Sequence, residues 1–144
     1  MAILNYSTTI AVEKSMGEVI GALTRRGVTR ISSTFDDDGQ PAGIAFTMKT
    51  DYGIREFDLP VKVDGVLRAM TADRTIARSK CTHEQAARVA WRIAKDWLAA
   101  QSALINAELA TLDEVMSPYM VAGNNGETVY QMIRTQGLKE LTSR

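Results

Sequence analysis

The chain has 144 residues, 45% of them hydrophobic and 24% charged, with a formal net charge of zero and a pI of about 6.6. That length fits one domain with a real core, and the neutrality excludes a whole-molecule attraction to nucleic acid or an anionic membrane, so a polyanion site has to come from local segregation of charge. A single cysteine excludes an internal disulfide and points to a reducing, cytoplasmic setting; "MAILNYSTTI" lacks the basic-then-apolar pattern of a signal peptide, and no apolar run approaches a membrane span.

"ILNYSTTIAV" alternates Leu4, Tyr6, Thr8, Ile10 and Val12 on one face and is rich in β-branched residues, which predicts a first strand. Ser15 and Glu18 make an S-x-x-E capping box for a helix that carries Met16, Val19, Ile20 and Leu23 and stops at Gly27. Two runs with strand character follow, Val28–Phe35 and Ala42–Thr50, joined by "DDDGQP". Asp-Gly tolerates the positive φ of a tight hairpin, and Pro41 suits a strand entrance. Asp36, Asp37 and Asp38 therefore read as a turn. A calcium loop of the EF-hand kind needs acids at alternate positions and a closing glutamate, which are missing here. "IREFDLPV" is a further strand ended or edged by Pro60, and "DGVLRAM" is a short helical segment. "TADRTIARSK" reads as a polar, flexible connector.

Thr82 and Gln85 form the next capping box, and "HEQAARVAWRIAKDWLAAQSALINAEL" continues as a long helix without proline or glycine. Thr111 with Glu114 caps a short helix, and "TVYQMIRTQG" is a last helix stopped by Gly137. The expected architecture is α+β: a small antiparallel sheet in a βαβββ order, covered by a long helix and shorter C-terminal helices. It makes one domain over 1–144, with the βαβββ part at 1–63 and the helical part at 82–138.

"AWRIAKDWLAAQ", "LDEVMSPYM", the N-terminal "NYSTTIAVEKSMGEVIGALTRRGV" and the hairpin "FDDDGQPAGIAF" resemble a small bacteriophage and prophage protein family with no assigned activity. The resemblance implies action inside an infected bacterial cell. It transfers no catalytic residue and no reaction.

Catalytic patterns are sparse. Cys81 and His83 flank the N-cap of the long helix, where a thiolate gains from the helix terminus and from Lys80. Their closeness in sequence disfavours attack geometry. The structural alternative places Cys81 as an apolar staple against Ala86 and His83 on an exposed first turn. One cysteine and one histidine also leave too few good zinc ligands. The sequence calls for no cofactor and no metal.

Charge is more informative. Between Val66 and Lys95 stand seven basic residues (Arg68, Arg74, Arg78, Lys80, Arg88, Arg92, Lys95) against Asp73 and Glu84, an excess that the rest of this neutral chain offsets. At about 100° per residue, Arg88, Arg92 and Lys95 share one stripe of the long helix, continued by Ser102 and Asn106. Trp97 points nearly opposite and is expected in the core. Trp91 lies at the edge of the stripe. It is read as packed inside, as an interface residue, or as a platform on which a base stacks. The expected site is thus Arg78, Lys80, Arg88, Trp91, Arg92 and Lys95, and the expected role is non-catalytic binding of nucleic acid or a nucleotide. The alternative is an anti-defence inhibitor that contacts a host defence protein or sequesters a cyclic-nucleotide signal. The apolar circumference of the long helix also predicts a homo-oligomer.

Overall fold

A computed structural model describes residues 2–137. The fold is α+β. Its elements are α1 (Val12–Thr24), β1 (Thr29–Phe35), β2 (Pro41–Thr50), β3 (Gly53–Pro60), α2 (Val63–Ala72), α3 (His83–Asn106), α4 (Leu112–Val115) and α5 (Val129–Gln136). The sheet is an antiparallel meander in the order β1-β2-β3. No helix of the described residues is long and apolar enough to cross a membrane.

The hairpin between β1 and β2 is built by the residues that predict it. Asp36 Oδ1 accepts from the backbone N–H groups of Asp38 (3.0 Å) and Gln40 (2.9 Å), and Gly39 takes φ +78°. The Asp36 side chain thus mimics a backbone turn. Alternation along β2 and β3 sends Ile44, Phe46, Met48, Phe57 and Leu59 to one face, where they are buried. Phe46 and Phe57 are cross-strand partners with stacked rings 5.2 Å apart. Such a pair contributes about 0.5–1.5 kcal/mol beyond the area it buries. The same core cluster holds Val19 and Leu23 of α1, Met70 of α2, and Ala86, Val89, Trp91 and Leu98 of α3.

The expected first strand is not formed. Asn5 adopts φ +65°, Thr8 N donates to Asn5 O, and the Thr8 hydroxyl accepts from Ile10 N. The residues before α1 form a turn and then a strap along α3. Gln85 Nε2 donates to the carbonyls of Tyr6 (3.0 Å) and Thr8 (2.9 Å), and Asn5 Nδ2 donates to Asp96 Oδ2 (2.8 Å). Local turn bonds and the Gln85 amide take up several of the strap's backbone groups, in place of a sheet partner. The edge beside β3 is taken instead by the segment after α4, where Val121 N donates to Glu56 O at 2.8 Å.

The capping box at Ser15 also fails. The N-cap of α1 is Ala11, which leaves Ser15 fully buried mid-helix and frees Glu18 for another partner. The box at Thr111 is present in full, whereas at the α3 start only half forms: Thr82 Oγ1 accepts from Gln85 N at 3.1 Å, and the Gln85 side chain turns to the strap instead. Thr128 with Gln131 adds one more at α5. The connector after α2 is tied down by Ile76, which is buried in the core. Position 138, the last of the expected helical part, lies outside the described residues.

Candidate functional site

The cationic stripe of α3 lies against α1 and the N-terminal strap, and its members meet different fates. Arg92 is only 9% exposed, and its Nη2 donates to Glu18 Oε2 at 2.6 Å. Lys95 Nζ lies 3.9 Å from the same carboxylate and 3.7 Å from Asp96. Asn106 accepts from Arg26 Nη2 at 2.8 Å. Arg92 thus joins α3 to α1 rather than facing solvent, because α1 lays Glu18 across the stripe, while Lys95 is half-buried and Asn106 is exposed.

Trp91 is 0% exposed, and its Nε1 donates to the Pro41 carbonyl at 2.8 Å. It presents no ring face to a ligand, so the stacking and interface readings of this residue are overturned. Of its three readings Trp91 takes the packed one, and Trp97, expected in the core, is the more exposed of the two. Trp97 is half-buried, edge-on to Tyr119 with centroids 6.2 Å apart, and lines an open apolar cleft of about 470 Å³ with Leu59, Val66, Ile93 and Tyr130.

Lys80 and Arg88 remain available. They line a hollow of about 490 Å³ with Ser7, Thr8 and Thr9 of the strap, Ser79, and Thr82 and Gln85 of α3. No acid lines it. Arg88 Nη1 donates to Gln85 Oε1 at 3.1 Å and has no carboxylate partner among the described residues. The oxygens of Thr8 and Thr82 already accept backbone N–H groups, so their hydroxyl protons are free to donate. The start of the 24-residue α3 adds the positive end of its dipole. Arg78 stands exposed on the single 3-10 turn Arg78–Lys80 beside the hollow, outside its lining. Asp73, one of the two acids of the cationic segment, is turned into its own loop: hydrogen bonds from the Thr75 hydroxyl (2.6 Å) and the Thr75 N–H (2.9 Å) hold its carboxyl below the usual range.

No family model, curated protein or solved structure matches this chain. The functional reading therefore rests on geometry.

The thiol and imidazole near the helix start diverge. Cys81 Sγ donates toward Met70 O (3.5 Å) and Ala77 O (3.7 Å), and the residue packs against the core. His83 turns the other way. Its Nε2 lies 3.5 Å from Asp36 Oδ2, 3.5 Å from Asp38 Oδ2 and 3.6 Å from Asp64 Oδ1. The expectation of an exposed His83 is corrected: α3 begins against the hairpin turn, and the imidazole side chain is 25% exposed. Asp36 closes the hairpin as expected, and Asp36 and Asp38 also face this ring. Sequence reasoning missed this cluster because 47 positions separate Asp36 from His83 and neither neighbourhood shows ligand spacing.

Proposed function

We propose that the protein is a non-catalytic binder of a phosphate-bearing ligand, a nucleic acid or a nucleotide, and that the hollow at the α3 start receives the phosphate. The observation that carries this reading is the lining itself: two cations, free hydroxyl donors and a helix N-terminus, with no carboxylate. The lining offers no aromatic ring, so recognition is of phosphate and backbone rather than of a stacked base. The resemblance to phage proteins supports an infected cell as the place of action.

The test is fluorescence anisotropy with a labelled single strand and with a nucleotide, over a range of salt. Lys80→Gln with Arg88→Gln weakens binding, and the log–log salt slope falls by about 0.7 for each phosphate that is no longer neutralised. A double variant that binds as the parent does sinks the reading.

A second reading, contact with a second copy or a host defence protein, is favoured by the apolar cleft beside Trp97, whose rim residue Tyr130 is half exposed. A dimer mass by light scattering that reverts to monomer in Tyr130→Asp supports it; a monomer at every concentration removes the second-copy form.

A further inference from the structure

The cluster around His83 is a different kind of place from the hollow. Three elements converge on it: the β1–β2 turn brings Asp36 and Asp38, the first turn of α2 brings Asp64, and the first turn of α3 brings His83. The side chain of Asp36 is divided in its work. Oδ1 is held by two backbone N–H groups of the turn, which fixes Oδ2 toward the imidazole. Asp38 contributes an exposed carboxylate whose side chain supports no other part of the fold.

The distances are the informative feature. Hydrogen bonds to an imidazole N–H run about 2.7–3.2 Å, and charge-assisted ones are shorter still. The separations of 3.5, 3.5 and 3.6 Å are too long for either. Nε2 is nevertheless shielded from solvent and has no hydrogen-bond partner. A buried polar atom left in that state calls for a partner, and a cation held between it and the carboxylates would be one. Two ligands bound at about 2.0–2.1 Å to one tetrahedral ion lie about 3.3–3.4 Å apart, close to what is seen. The ligand atoms of Asp36, Asp38 and His83 all lie within 4.8 Å of one another. Among the described residues no lysine or arginine pairs with Asp36, Asp38 or Asp64, so the only cationic group they meet is the imidazole when it is protonated.

We propose that Asp36, Asp38 and His83 bind a divalent first-row transition-metal ion of the Zn2+ or Mn2+ class. The imidazole nitrogen selects such ions over calcium, which takes six to eight oxygens. Asp64 stands outside the triplet, and the coordination position left over goes to water or to a ligand oxygen. The ion ties the hairpin to the start of α3. This proposal does not rest on the phosphate reading, because the hollow and the cluster share no residue.

The experiment uses chelator-treated full-length protein with Zn2+ or Mn2+ alone and no nucleic acid. Calorimetric titration is expected to give a single equivalent bound, and melting to rise by about 5 °C at a hundredfold excess over Kd. Calcium and magnesium give much smaller shifts. Asp38→Asn removes a ligand without touching the turn hydrogen bonds, and His83→Gln removes the nitrogen; both abolish the rise. Cys81→Ser keeps it. The proposal is overturned by a parent that shows no metal-dependent rise, by a rise undiminished in Asp38→Asn, or by one that disappears in Cys81→Ser.

Discussion

Arg88 and Arg92 sit one turn apart on the same stripe of the same helix, and the chain treats them as different residues. Arg92 is buried against Glu18 of α1, and its charge serves to register two helices. Arg88 meets only the Gln85 amide, at the edge of a hollow of hydroxyls. What decides between them is the partner helix. α1 covers the stripe at Glu18, and the N-terminal strap, which brings no carboxylate, lies beside Arg88. A count of cations along a helix face therefore overstates the charge available to a ligand, and the neighbouring element sets the discount.

The first way to sharpen this contrast is to remove the core residue that fixes the helix between its two sides. Trp91→Ala should cost about 3–5 kcal/mol, through reduced burial and an orphaned Pro41 carbonyl, measured by urea denaturation. A loss below about 1 kcal/mol would mean that the ring is not in the core. Next comes the paired arginine. Glu18→Ala leaves Arg92 buried without its carboxylate and should cost about 2–3 kcal/mol, less than a fully buried pair because Glu18 is about one-third exposed. Affinity for a labelled oligonucleotide should change little by comparison. Lys80→Gln with Arg88→Gln should do the reverse: stability shifts by less than about 0.5 kcal/mol, while affinity falls. If Glu18→Ala and the double glutamine variant perturb stability and affinity in the same proportion, the distinction between the two ends of the stripe fails.

The smallest effect concerns Asp73. The Thr75 hydroxyl, followed by the Thr75 backbone N–H, holds its carboxyl low, which stabilises the fold above the ordinary carboxylate range and is lost as pH falls through the lowered value. Thr75→Val should bring the Asp73 titration back toward the usual range, read by NMR. An unchanged titration would show that the hydroxyl is not its main partner.

The sheet and most helices were legible because their signals are local. Alternation in β2 and β3, Asp-Gly in the hairpin and the threonine caps of α3 and α4 each act within a few residues. The N-terminal strap defeated the same reasoning. Its alternation is real, but the group that satisfies its backbone, Gln85, lies 79 positions from Tyr6. The roles of Trp91 and Trp97 could not be read from a helical wheel either. A wheel gives angles between side chains and leaves open which angle faces the sheet. Of the six expected site residues, Lys80 and Arg88 line one hollow and Arg78 stands beside it. Arg92 and Lys95 were displaced by Glu18, a residue whose expected duty was a helix cap. The meeting of His83 with the hairpin aspartates escaped notice because each looked complete in its own neighbourhood.

The anchoring of the strap by Gln85 also bears on how the chain is made. Residues 2–10 leave the ribosome well ahead of α3, and the amide that receives Tyr6 and Thr8 is synthesised 77–79 residues after them. At about 5–20 residues per second that interval is about 4–16 seconds. During it a β-branched, alternating segment waits with unpaired backbone groups, open to pairing with another nascent chain. The cell meets this interval once per molecule made. Co-expression with a chaperone that holds extended segments should raise the yield of dispersed protein.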